Sequence, residues 1–447
     1  MQIFGHSPLK TLKNQSPPRL KSQPSQETSQ VDRFTATTDF EDAFEKDKNE
    51  SLNLRKLSFL LASATPAVLG IANPASAAEV AQVAESKIDV NAEAPVDLAK
   101  SETLQPGTLI VSDFFDDHGG KSHGDVVEQS SRELGFKNSI TLRKAPANDS
   151  TRTAERFYSR LDNRPFTPEK ARQFTYDYIM HRQLGSLQSA TQELDQLTQA
   201  GANNTVLNLS RGWGKAQIME SLYERTRMAW DKAAHPQSQT VGKRRVEKLA
   251  PALGVEAQDV LDGVGDARAK FQQGLLSLID EASADERITE AQKTYDQAVH
   301  NFEARNNSVS VAAANSGRVL SLMQLDAPTP ELAPDFFRNR LTNEETTTVG
   351  ATRQFGGKEV VADYTNQDPG IDFYADGQID GAWGTSFATP RTASLQAELH
   401  RQNPHATSDE VEKMMVDRFS HKLDDYGDWV EAPALNEQKA QEWLVGQ

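Results

Sequence analysis

The stretch Gly384-Thr385-Ser386-Phe387-Ala388-Thr389-Pro390 places one serine among small residues, just where an apolar, helix-forming run begins (Ala393, Leu395, Ala397, Leu399). A serine at a helix N-terminus sits among free backbone N–H groups, in the positive end of the helix dipole. That setting suits a nucleophile whose reaction builds negative charge nearby, and small neighbours let a substrate backbone approach. The same residues also suit an ordinary helix cap, where Ser and Thr are common. Three further stretches carry groups that a serine nucleophile needs. Asp113 ends the apolar run Thr108-Leu109-Ile110-Val111-Ser112, and His123-Gly124 opens a helix-like segment with Val126 and Val127. The alanine-rich stretch Val311-Ala312-Ala313-Ala314-Asn315-Ser316-Gly317 ends in an amide. A carboxylate, an imidazole, a hydroxyl and an amide donor are the parts of an acyl-transfer site.

The heptapeptide resembles the Gly-Thr-Ser-x-Ala-x-Pro signature of subtilisin-like serine peptidases. The other stretches resemble that family's landmarks in its own order, aspartate, histidine, asparagine and serine, which differs from the orders of other serine hydrolases. Asn208-Leu209-Ser210-Arg211-Gly212 resembles the family's substrate-binding strand. The resemblance implies that Ser386 attacks a peptide carbonyl, His123 takes and returns the proton, and Asp113 orients the imidazole. It implies an oxyanion hole from Asn315 and the Ser386 N–H, and substrate contacts from Asn208, Leu209, Ser210, Arg211, Gly212, Ala313 and Ala314. The function expected on this basis is a serine endopeptidase acting on protein or peptide substrates through an acyl-enzyme. An inactive subtilase fold used for binding or scaffolding is the alternative. A dedicated processing protease, cutting one partner or its own N-terminus, is a third reading.

Several positions depart from the family pattern. Phe114 and Phe115 follow Asp113 where a small residue and a glycine are usual, and the spacing from Asp113 to His123 is short. Ala314 stands where glycine is usual, beside the primary specificity pocket, so its methyl would shrink or crowd that pocket. Asp125 replaces a threonine, Arg391 follows the motif proline, Arg211 falls in the substrate strand, and Ser316 follows the asparagine.

The dense set Asp116, Asp117, His118, His123 and Asp125 has the donor types of a divalent-metal site. Its spacing fits no zinc signature, and Gly119 and Gly120 suggest a solvated turn. No cofactor is expected; the resemblance leaves calcium open, since subtilisin-like peptidases often bind it, but no calcium loop matches here.

The chain has 447 residues, with 48 basic and 64 acidic side chains and a formal net charge of −16. No nucleic-acid partner is expected, because phosphate binding needs a basic surface. Cysteine is absent, which removes disulfides, thiol catalysis and cysteine-ligated zinc.

Residues 1–50 are polar and rich in Ser, Thr, Gln, Pro and charge, a composition expected to stay disordered. In residues 51–78, Arg55-Lys56 precede an apolar run from Leu57 to Ala72, and Pro74-Ala75-Ser76-Ala77-Ala78 offers an Ala-x-Ala-like cleavage site. This segment reads as a late signal peptide, which would export the protein. It also reads as a hydrophobic helix folded onto the body or a membrane-proximal segment, and without export the protein would be cytoplasmic. Pro66 interrupts the run, and membrane contact is expected only through residues 55–78.

Residues 79–105 form a polar lead-in, and a peptidase-like domain spans 106–447. Short apolar strands (108–113, 139–143, 205–210, 308–313) alternate with helical stretches, which predicts a mostly parallel α/β sheet with helices on both faces. The helix after His123 is expected to stop at Gly135. Another is expected from Leu187 to Ala200, and a closing helix carries Val411, Met415 and Phe419. Helical insertions are expected at about 151–186 and 216–305. In the second, Met219, Leu222, Tyr223, Thr226 and Trp230 recur at helical spacing, as do Ile288, Ala291, Tyr295, Ala298 and Phe302. It reads as a helical bundle packed on the core, or as a lid beside the cleft.

Overall fold

The computed structural model describes residues 104–115, 122–145, 151–328, 331–425 and 428–447. The polar head, the signal-like segment and nearly all of the lead-in lie outside the described residues.

The chain runs β1 (Leu109–Asp113), α1 (His123–Glu133), β2 (Ile140–Lys144), α2 (Thr151–Asn163), α3 (Pro168–Gln199), β3 (Val206–Leu209) and α4 (Lys215–Arg227). It continues through α5 (Pro236–Ala252), α6 (Ala257–Asp262), α7 (Ala267–Ser283), α8 (Glu286–Glu303), β4 (Ser308–Ala312) and α9 (Val319–Gln324). Then come β5 (Thr347–Phe355), β6 (Lys358–Val361), β7 (Phe373–Asp376), β8 (Gln378–Ile379), β9 (Ala382–Trp383), α10 (Thr385–Gln402) and α11 (Ser408–Phe419). The last elements are β10 (Ser420–His421), β11 (Asp424–Asp425), β12 (Asp428–Trp429), β13 (Ala434–Leu435) and α12 (Glu437–Gly446).

The main sheet has the order β10-β13-β7-β5-β4-β3-β1-β2, with β6 paired to β5. The strands β2, β1, β3, β4, β5 and β7 run parallel to one another along this order, while β6 pairs antiparallel with β5. Parallel strands need long crossovers, most of them helical here, so both faces are covered and the central strands read as continuous apolar runs. Alternation along each strand divides the core. Ile110, Leu207, Leu209, Val309 and Val311 pack with α3, α4, α7 and α8 through Leu194, Met219, Leu275 and Phe302. Leu109, Val111, Val206, Val349 and Phe373 pack with α1, α10 and α11 through Val127, Phe387, Leu395 and Met415. At roughly 1.5–3 kcal/mol for each large apolar side chain buried, these two layers carry most of the drive to fold.

Local signals explain the helix ends nearest the chemistry. Ser122 caps α1 in a capping box: its hydroxyl accepts from the Asp125 N–H, and the Asp125 carboxylate accepts from the Ser122 N–H at 2.7 Å. Gly135 follows α1 with φ +96°, a left-handed conformation that favours glycine. The helix expected from Leu187 is the second half of the 32-residue α3, capped by Thr167 with Pro168 in its first turn. Gly185 lies inside α3 as a buried residue and does not interrupt it.

The helices between β3 and β4 bury Met219, Leu222, Tyr223, Ile288, Tyr295 and Phe302 against α3 and one face of the sheet. Tyr158, on α2, joins the same core. Among the described residues no helix is long and apolar enough to cross a membrane.

Candidate active site

The carboxyl ends of β1, β3 and β4 lie side by side, because these strands are parallel neighbours in the sheet. Open α/β sheets present their ligand sites at such ends. Asp113 is the last residue of β1 and is fully buried. Its Oδ1 accepts from the Phe114 N–H at 2.7 Å and lies 2.6 Å from His123 Nδ1. A carboxylate only accepts, so Nδ1 carries the proton and Nε2 faces outward as a base. Nε2 is 3.0 Å from Ser386 Oγ, and the imidazole, 16% exposed, is the first residue of α1. Sheet and capping box thus hold the two partners independently of the loop between them. Asp116, Asp117 and His118, the rest of the suggested metal cluster, lie outside the described residues. Asp125 is engaged as the α1 capping residue, and among the described residues no group of acidic or imidazole side chains is arranged to hold a metal ion.

Ser386 occupies the second position of α10, where no intrahelical partner exists for its N–H. The motif proline has a specific consequence here. Pro390 lacks the N–H that would bond the Ser386 carbonyl one turn back. That carbonyl accepts instead from Ser210 Oγ at 2.9 Å, which ties the end of β3 to the first turn of α10.

Asn315 lies three residues beyond β4. Its Oδ1 accepts from the Thr385 N–H at 2.8 Å and from the Thr385 hydroxyl at 3.0 Å. These donors fix which amide atom is oxygen, leaving Nδ2 toward the space in front of Ser386. A Cβ built on Gly384 would lie 3.0 Å from Ser386 Oγ and 3.2 Å from Asn315 Nδ2. The absence of a side chain at Gly384 therefore keeps the space beside hydroxyl and amide open. The Thr385 hydroxyl also accepts from the Ala314 N–H at 3.1 Å, so one buried threonine aligns both residues. Asn366 completes the support: its Oδ1 accepts from the Ser316 N–H, and its own N–H donates to the Ala314 carbonyl.

The other expected site residues divide. Asn208 and Leu209 are fully buried, and the Asn208 amide donates to Ser210 Oγ at 2.9 Å. The Arg211 guanidinium donates to Ser189 Oγ at 2.9 Å and pairs with Glu193 at 3.4 Å. Glu193 also pairs with Arg143 and accepts from the Ser112 hydroxyl. The side chains of Asn208, Leu209 and Arg211 are thus taken up inside the protein, and only backbone at these positions is available for a substrate. Gly212 and Ala314 adopt positive φ, +127° and +82°, and Ala313 is buried. Ala314 therefore holds a left-handed conformation with a methyl group attached, where glycine would be unstrained.

Sequence reasoning did not single out Thr385, Asn366 or Asn339 as separate elements of this region. Thr385 sits inside the recognised motif, so its signal was present. Asn339 and Asn366 are isolated amides in loops, and only the fold brings them to the strand ends. Glu220, on α4, accepts from the Ser316 hydroxyl at 2.6 Å and brings the helical segment to the residue after Asn315.

The model of the subtilase family, peptidase family S8, matches residues 178–428. Asp113 and His123 precede the matched stretch, so their place beside Ser386 rests on the geometry above. No curated protein matches the chain at a significant level. Among solved structures, a cold-adapted subtilisin-like serine proteinase is 15% identical, with 74% of this chain and 89% of that one covered and a TM-score of 0.31. A lanthipeptide protease is 12% identical over 75% and 87%, with a TM-score of 0.35. The nisin leader peptidase of Lactococcus lactis is 12% identical over 75% and 86%, with a TM-score of 0.32.

Proposed function

Since this chain belongs to the subtilase family, we propose that it is a serine endopeptidase that hydrolyses peptide bonds through an acyl-enzyme. The observation that carries this reading is the hydrogen-bonded series Asp113–His123–Ser386, at 2.6 and 3.0 Å, assembled from β1, α1 and α10. Ser386 Oγ attacks the carbonyl carbon while its proton passes to His123 Nε2. Asp113, buried and bonded to Nδ1–H, holds the imidazole in that tautomer and stabilises the imidazolium. The negative oxygen then lies between Asn315 Nδ2 and the Ser386 N–H, in the space that Gly384 leaves open. His123 returns the proton to the leaving amine. Water, activated by the same imidazole, releases the acyl group and restores the serine.

Fluorophosphonate labelling of the full chain, followed by peptide mapping, tests the reading. Labelling at Ser386, abolished in Ser386→Ala, together with casein cleavage lost in the same variant, is the expected result. A folded protein that neither labels nor cleaves is an inactive subtilase fold used for binding, and the proposal fails.

A further inference from the structure

The last paired residues of β3 and β4 are Leu209 and Val311. Beyond them the two backbones diverge, and the gap between them is filled. Asn339, 1% exposed, donates from Nδ2 to the Ala312 carbonyl at 2.7 Å and to the Arg211 carbonyl at 3.2 Å. Its Oδ1 accepts from the Leu341 N–H at 3.1 Å. The amide thus continues the ladder as a wedge where the strands no longer pair. Gly212 makes this fit, since a Cβ there would collide with the Asn339 amide.

The reaction geometry says what this gap faces. The leaving nitrogen must lie toward His123 Nε2 and the oxyanion toward Asn315 Nδ2. The acyl-side Cα takes the remaining direction from the carbonyl carbon. That direction is bounded by Ser210 and Ala314, the two residues bonded to the nucleophile's own turn through the Ser386 carbonyl and the Thr385 hydroxyl. Between and behind them lie the diverging strand ends and Asn339.

We propose that Asn339 closes the crevice between the ends of β3 and β4, so that the residue on the acyl side of the scissile bond must have a small side chain: glycine, alanine or serine. This rests on the peptidase reading above. A larger side chain has to displace a buried amide that satisfies two carbonyls, which leaves those carbonyls unpaired. Ala314 adds a methyl group on the β4 side, where the chain tolerates a left-handed φ to keep it.

The test uses three covalent probes on the full chain: a plain fluorophosphonate, and peptidyl diphenyl phosphonates carrying an alanine-like or a phenylalanine-like side chain at the acyl position. The wild type is expected to react at Ser386 with the first two, and at least ~100-fold more slowly with the third. Asn339→Ala, and the milder Asn339→Ser, are expected to lower the alanine-to-phenylalanine rate ratio by about 10-fold or more, because the crevice opens. Comparable rates with both side chains in the wild type overturn the inference even if both variants fail to fold. A folded variant with an unchanged ratio also overturns it, and leaves Asn339 as a strand tie only. Failure of the fluorophosphonate to label Ser386 is a separate result: the peptidase reading itself fails, and this inference with it.

Discussion

Replacing Gly384 by alanine introduces a single methyl group beside the Ser386 hydroxyl and the Asn315 amide. The new Cβ would lie 3.0 Å from Ser386 Oγ and 3.2 Å from Asn315 Nδ2. An oxyanion held at about 2.7–3.1 Å from the same amide would be crowded by that methyl group. The substrate carbonyl must then move off at least one donor. Loss of one donor lowers kcat by ~10²–10³, or about 2.7–4 kcal/mol; that size was measured for the oxyanion asparagine of a subtilisin and is taken over for this chain. The backbone does not oppose the change. Gly384 has φ 164° and ψ 154°, an extended conformation open to any residue. Loss of chain entropy in the unfolded state favours alanine by about 0.4–1 kcal/mol, while crowding of the hydroxyl and amide opposes it by about 1–3 kcal/mol. The net shift in Tm is then only a few degrees in a domain of this size. The assay pairs kcat/KM on a short peptide with a calorimetric Tm. A folded variant that keeps kcat/KM within about tenfold of wild type would show that the oxyanion is bound elsewhere.

Asn315→Ala should lower kcat with KM nearly unchanged, since the amide meets the oxygen mainly in the transition state; a raised KM at constant kcat would make Asn315 a substrate-binding residue. Ala314→Gly should stabilise the fold by roughly 1 kcal/mol by relieving φ +82°, and a lower denaturation midpoint in urea would contradict that. Burial pushes the Glu412 carboxyl up to about 7, with its side chain bonded to Thr347. The folded state therefore holds a proton that the unfolded chain releases above its ordinary carboxylate range. This stabilisation is complete at low pH and is lost as pH rises through about 7. Glu412→Gln should shrink the fall in Tm between about pH 5 and pH 8, and an undiminished fall would mean that Glu412 titrates normally.

Much of this protein was legible along the chain because short-range chemistry decides it. The apolar runs 108–113, 205–210 and 308–313 read as buried parallel strands, since strands covered on both faces carry few polar residues. The helix start at His123, the stop at Gly135 and the Gly-Thr-Ser turn before α10 are local motifs whose reasons lie within a few residues. Helix boundaries were less legible. The sequence divides this region into an insertion ending near 186 and a helix from Leu187, yet burial against neighbouring helices holds α3 unbroken through Gly185, and tertiary packing outweighs the local propensity cost of about 1 kcal/mol. Only the tertiary structure decided how the site is supported. Arg211 reads as a substrate-strand residue in sequence, but the approach of α3 supplies Ser189 and Glu193 and draws its guanidinium inside. Asn339 carries no sequence signal at all, because a lone amide in a loop gains meaning only when two diverging strands each present it with a carbonyl. Strand, cap and turn follow from neighbours in the chain. A buried hydrogen bond follows from neighbours in space, and its partners are set only once the sheet has closed around them.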